Sequence, residues 1–188
     1  RSRIVDTDNL ERYLNSFGKY VVQQSRSNLT KAKKNNTKDL YNSISFKVTT
    51  NAQGFSVQFF MDNYGTFVDK GVSGTNKTRS FKDYKGKVIS SPYKFGTGSS
   101  KVGKAKGGMS GIMAKWAKRK GFQWKNKETG KFMSHKSMGY IIARSIYSKG
   151  IKGISFFQRP LQLGMKDFPK EMLGALRDDI INGLTTVK

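Results

Sequence analysis

Residues 44–61 read Ile44-Ser45-Phe46-Lys47-Val48-Thr49-Thr50-Asn51-Ala52-Gln53-Gly54-Phe55-Ser56-Val57-Gln58-Phe59-Phe60-Met61. Ile44, Phe46 and Val48 alternate with Ser45, Lys47 and Thr49; later Phe55, Val57, Phe59 and Met61 alternate with Ser56, Gln58 and Phe60. A side-chain period of two is the signature of a pleated strand with one face turned to a core. The short, turn-rich Asn51-Ala52-Gln53-Gly54 between the runs predicts an antiparallel hairpin, one face of which packs on a helix.

Upstream, Leu10, Leu14, Phe17 and Val21 recur at helical spacing, and Asp8 stands three residues before Glu11, as in a capping pair. The pattern predicts an amphipathic helix from about Asp8 to Leu29. Lys31 to Lys38, with four lysines, two asparagines and no large apolar residue, reads as a solvated turn, and Leu40 and Ile44 as the start of the strand that follows.

Downstream the pattern loosens. Asn63 to Gly71 fits one helical turn or the start of a strand, and Gly71 to Gly108, rich in Gly, Ser and Lys, reads as a long extended loop or arm. Ser110 to Lys120 predicts a short basic helix with Ile112, Met113, Trp116 and Ala117 on one side and Trp116 buried. Phe122-Gln123-Trp124 then enters a turn at Lys125 to Gly130, with Trp124 exposed. Met138 to Lys149 predicts a helix stopped by Gly150. Ile151 to Phe157 reads as extended, ending at Pro160, and Pro169 opens a last helix through Met172, Leu173, Leu176, Ile180 and Ile181. The fold class is therefore α+β: an antiparallel hairpin or small sheet packed with N- and C-terminal helices. We read residues 1–188 as a single domain carrying a basic Gly/Lys-rich insertion or arm at 71–136.

Composition speaks to partners. The 188 residues are 36% hydrophobic and 12% aromatic, enough for a real core, yet 36 Lys and Arg face 12 Asp and Glu, for a net charge of +24. Between Lys70 and Lys136, 18 basic residues meet only Asp83 and Glu128, placing +16 of that charge in 67 residues. Such a field calls for a polyanion or an acidic neighbour. With no cysteine, a disulfide framework and cysteine-ligated metal centres are excluded. No apolar run reaches the roughly 20 residues of a membrane-spanning helix, and the first ten residues lack a signal-peptide core, so the chain is expected to be soluble, with no membrane partner.

Catalytic readings find little support. His135 is the single histidine and falls in a Lys-rich turn, which leaves a Ser-His-Asp arrangement one surface candidate for its base. Asp62 with Asp69, and Asp178 with Asp179, are the conspicuous carboxylate pairs; the second pair is adjacent on a predicted helix and reads as solvent charge. Gly96-Thr97-Gly98 and Gly103 to Gly108 lack the Gly-x-x-x-x-Gly-Lys-Ser/Thr phosphate loop. The expectation is a protein with no enzymatic activity, no cofactor and no metal.

Three short runs occur in a suggestive order. Leu40-Tyr41-Asn42-Ser43-Ile44 precedes the hairpin, Tyr64-Gly65-Thr66-Phe67-Val68-Asp69-Lys70-Gly71 follows it, and Phe156-Phe157-Gln158-Arg159-Pro160-Leu161 precedes the final helix. The series resembles the tail-completion or neck family of long-tailed bacteriophages, in which L-x-x-S-I, Y-x-x-F/Y-V-E/D-x-G and F-F/L-x-x-P/A stretches follow one another, and 71–131 looks like an enlarged insertion. The resemblance implies a virion structural subunit, assembled in the host cytoplasm, that forms a homo-oligomeric ring, commonly hexameric, at the head-proximal end of the tail. Its partners would be the tail terminator, the tail tube and the head connector, with DNA passing through the lumen.

On that reading the basic residues dock acidic neighbours more than they grip DNA, since a tight lumen would impede ejection. The candidate contacts are Lys82, Lys85, Lys87, Lys94, Lys101, Lys104, Lys106, Lys115, Lys118, Arg119, Lys120 and Trp124. The alternative is a stand-alone basic nucleic-acid-binding protein, in which the lysines interleaved with Tyr84, Tyr93, Phe95, Trp116, Phe122 and Trp124 hold phosphates and bases. A third reading is a nuclease using Asp62 and Asp69 in a basic groove.

Overall fold

A computed structural model describes residues 7–34, 38–51, 54–95 and 108–186. Among them the element order is α1 (Asp8–Lys31), α2 (Asp39–Ser43), β1 (Ser45–Asn51), β2 (Gly54–Phe60), α3 (Gly65–Lys70), β3 (Gly71–Val72), β4 (Ser80–Lys82), β5 (Val88–Ser90), α4 (Gly108–Arg119), α5 (His135–Lys149), β6 (Ile151–Lys152), α6 (Gln158–Met165) and α7 (Phe168–Thr186). The strands pair two by two, β1 with β2, β3 with β6 and β4 with β5, so the fold is α+β, as the sequence indicates. The chain divides into two compact units, one of residues 1–69, 82–89 and 154–188, the other of 70–81 and 90–153. Of the stretch 71–136, read from the sequence as a basic insertion, 82–89 fall in the first unit, while the second continues through α5 and β6.

In the first unit, α1 buries Leu10, Leu14, Phe17, Val21, Val22 and Leu29 along one stripe. The β1–β2 hairpin lies against it in the register expected from the alternation, Phe46 opposite Phe59 and Val48 opposite Val57. Gly18 faces the Phe46 ring so closely that a Cβ there would sit 2.2 Å from Phe46 Cδ2. Val22, Leu29, Leu40, Ile44 and Phe156 form the buried centre, with Phe46, Phe59, Met61, Val68, Ile154 and Phe157 packed around it. Phe59 meets the Phe157 ring edge-on at 5.3 Å between centroids.

Several local expectations are corrected. Leu40 belongs to the short helix α2 rather than to a strand, and Ile44 terminates that helix. Asn63 to Gly71 does both things the sequence allows, with α3 running directly into β3. Extended structure after Ile151 is confined to two strand residues, and Pro160 does not end an element: it sits in the first turn of α6, where the missing N–H is one the helix leaves unbonded anyway. The Asp8–Glu11 cap is also revised. Thr7 is the N-cap of α1, without a side-chain cap bond. The first amides are met from afar by Asp179 of α7, whose Oδ1 accepts from Asn9 N at 3.0 Å and Oδ2 from Leu10 N at 2.9 Å. Asp179 is 3% exposed and is no solvent charge. Its negative charge lies where the helix dipole favours it.

In the second unit α4 crosses α5 with small residues at the interface: Ala117, Gly139 and Ala143 are buried together with Met138. Gly139 has Ser110 O and Ala114 N so near that a Cβ would stand 2.4 and 2.6 Å from them. α5 starts three residues earlier than its periodicity suggests, because Ser134 caps it by accepting from Ser137 N. It ends at Gly150, as the sequence indicates. Residues 71–81 and 90–95 are not a free arm but are tied to the end of α5. Thr75 N and Asn76 N donate to Tyr147 O and Ser148 O, Arg79 Nε donates to Lys149 O, and Phe95 stacks near Tyr147. β3 pairs antiparallel with β6, and Gly71 takes φ +76 with Gly153 N at 2.5 Å from where a Cβ would be. Only glycine fits that turn.

Candidate functional site

Two features of the molecule stand out, one in each unit. The first is a joint built from the runs that suggested a family. Asp69, at the end of the Tyr64–Gly71 run, is 3% exposed, and its Oδ1 accepts from Phe157 N at 2.8 Å and from Gln158 N at 3.4 Å. It thereby holds the first amides of α6, as a capping carboxylate does from within a chain. Backbone pairs extend the joint: Ile154 N donates to Val68 O at 3.1 Å and Ser155 N to Asp69 O at 2.9 Å. Ser155 takes φ +49 there, which turns the chain into Phe156. Leu40 and Ile44 of the first run, Val68 of the second and Phe156 and Phe157 of the third share one core.

The Asp69 carboxylate, which the nuclease reading would use, is buried, with Oδ1 engaged by backbone amides. Among the described residues there is no group of three or more His, Cys, Asp or Glu side chains placed to hold a metal ion.

The second feature is the charge of the second unit. Its residues include 18 Lys and Arg against Glu128 as the single acid, or +17; the first unit carries the remaining +7 over a longer stretch of chain. No sequence expectation placed the boundary there. Lys82, Lys85 and Lys87 belong to the first unit, on the β4–β5 hairpin, whereas Lys94, Lys115, Lys118, Arg119, Lys120 and Trp124 belong to the second. All nine are exposed. Lys101, Lys104 and Lys106 lie outside the described residues.

The β4–β5 tip is rigidly made. Asp83 Oδ1 accepts from Lys85 N and Lys87 N, Tyr84 N donates to Gln158 Oε1, and the Lys85 ammonium stands 5.7 Å from the Tyr84 ring centre. In the second unit the end of α4 closes with Phe122 N on Ala117 O and Gly121 N on Lys118 O, Gly121 at φ +68, a turn that reverses the chain and lays Phe122 on Trp116 at 5.1 Å. Trp116 is thus half-buried rather than buried.

A small hairpin follows. Met133 N donates to Trp124 O and Asn126 N to Lys131 O, Lys125 bridges Phe132, and Asn126 Oδ1 receives Glu128 N and Thr129 N in the turn. Lys125, Lys127 and Lys131 project from it into solvent beside Phe132, which is 62% exposed, while Trp124 is 39% exposed. The Lys125 ammonium lies 5.1 Å from the Phe132 ring centre. Sequence reasoning marks Trp124 but passes over these three lysines and Phe132. The available signal is the symmetry of Trp124-Lys125-Asn126 and Gly130-Lys131-Phe132, an aromatic and a lysine on each side of an Asn…Gly turn.

Comparison of the chain with protein-family models, with curated proteins and with solved structures finds no match to any of them.

Proposed function

We propose that this chain is a non-catalytic structural subunit of a bacteriophage neck or tail-completion ring, joining the tail to the head connector. The observation that supports the reading is the joint at Asp69. Three runs scattered over about 120 residues of sequence come together in a single packed core, the arrangement expected if their shared order reflects one structural unit. A body of helices and a hairpin, with charge gathered on a second unit, suits a protein whose work is done through interfaces. A ring needs heterologous contacts, in which one surface of each subunit meets a different surface of the next.

Electron microscopy and native mass spectrometry of the purified protein, alone and mixed with tail-terminator and head-connector proteins, test the reading. Closed rings, or a mixed neck assembly, are the expected result. A monomer that stays apart from every tail and head protein overturns it.

A further inference from the structure

We propose that the hairpin from Trp124 to Met133, together with the last turn of α4, is a binding surface for the phosphodiester backbone of nucleic acid. This does not depend on the neck reading. Lys125, Lys127 and Lys131 leave the hairpin on both of its strands and at its turn, and Lys115, Lys118, Arg119 and Lys120 leave the end of α4, all exposed. Their one local carboxylate, Glu128, makes no ion pair within 4 Å among the described residues. The positive charge is therefore left uncompensated.

Two observations favour nucleic acid over an acidic protein. First, the described residues of the second unit include 12 lysines and 3 arginines. Lysine is depleted at protein–protein interfaces and arginine enriched, whereas condensed counterions are released by either cation. Second, the hairpin exposes Phe132 and Trp124 to solvent, and the Lys125 ammonium rests over the Phe132 face. An aromatic ring so placed holds the ammonium extended and offers a stacking surface to an unpaired base. Nothing in the hairpin presents the paired arginine or amide groups that read base edges, so binding is expected to be indifferent to sequence.

The test is fluorescence anisotropy of the full chain with a labelled duplex DNA and a labelled single strand of mixed sequence, titrated with salt. The variant Lys125→Gln/Lys127→Gln/Lys131→Gln is compared with Lys19→Gln/Lys166→Gln/Lys170→Gln, which removes the same charge from exposed positions of the first unit. The hairpin variant should lower the slope of log affinity against log salt on duplex by roughly 2 to 3, at about 0.9 for each phosphate that is no longer neutralised, and the control by less than about 1. Glu128→Gln should tighten binding, a gain that misfolding cannot produce. A preference for the single strand that Phe132→Leu reduces would assign Phe132 to base stacking, and equal affinity for both forms would assign the surface to phosphate binding alone; either supports the proposal. Equal slope changes from the two triple variants, or capture of polyglutamate with no capture of either DNA at about 50 mM salt, would overturn it.

Discussion

The Asp69 carboxylate and the Phe157 amide meet at 2.8 Å in the buried core, across 88 residues of chain. A buried acceptor shared by two amides is costly to remove, because the amides lose water as well as their partner. Asp69→Ala is expected to destabilise the first unit by about 2–3 kcal/mol, and Asp69→Asn by less, since its carbonyl oxygen still accepts. Urea denaturation compares the two, and hydrogen exchange should show the loss concentrated at the start of α6.

Asp179 stands in the same relation to α1. Each of its carboxylate oxygens takes one amide of the first turn. Asp179→Ala should cost about 1.5–3 kcal/mol, whereas Asp178→Ala, beside it but exposed and paired with Arg177 at the surface, should shift stability by under about 1 kcal/mol. Adjacent residues of one type with such unequal effects give a sharp thermal-denaturation test.

Gly139→Ala sets two effects against each other. Alanine favours a helix interior by about 1 kcal/mol over glycine, but here its methyl would stand within 2.6 Å of backbone atoms of α4, which cannot rotate away. Forced separation of packed elements costs typically about 1–3 kcal/mol. The expected net result is destabilisation, read as faster amide exchange along α4 and α5.

Ser25 carries the opposite expectation. Its hydroxyl is fully buried on the core stripe of α1 with no hydrogen-bond partner among the described residues. Ser25→Ala removes an unsatisfied polar group and adds helix propensity, so a gain of about 1 kcal/mol in urea denaturation is expected.

The Tyr13 phenol is held above its ordinary pKa, chiefly by burial and then by the nearby charges of Glu171 and Asp167. The folded chain therefore keeps this proton more tightly than the unfolded chain. The resulting contribution is intact below about pH 10, where an unfolded tyrosine begins to ionise, and is lost as pH rises through the higher folded value. Tyr13→Phe should lose less stability than the parent as pH rises above about 10, as urea midpoints measured across that range will show.

Periodic elements were legible in the sequence because their cause is local. Alternation placed β1 opposite β2, and the stripe from Leu10 to Val21 placed α1, to within two residues at its far end. What escaped depends on distant partners. Asp179 looks like surface charge from its neighbours in sequence, and only the packing of α7 on α1 makes it a cap. Pro160 looks like a stop until Asp69 arrives to start a helix around it. Of the candidate contacts among the described residues, exposure of the lysines and of Trp124 followed from composition, but their division between two units did not, because Lys82 to Lys87 read as one basic run with Lys94. The hairpin lysines escaped for a different reason: a turn reading assigns no side chain a direction.

The Val68–Ile154 and Asp69–Ser155 pairs also fix a timetable. During synthesis the chain through Asp69 emerges with Val22, Leu29, Leu40 and Ile44 in hand but without Phe156, which packs with them. A further stretch of roughly 90 residues must leave the ribosome before that centre can close, and bringing such distant segments together is entropically slow. The nascent protein thus spends its growth with an open apolar face beside a lengthening cationic segment, and its yield in a cell should depend on what shields that face while it waits.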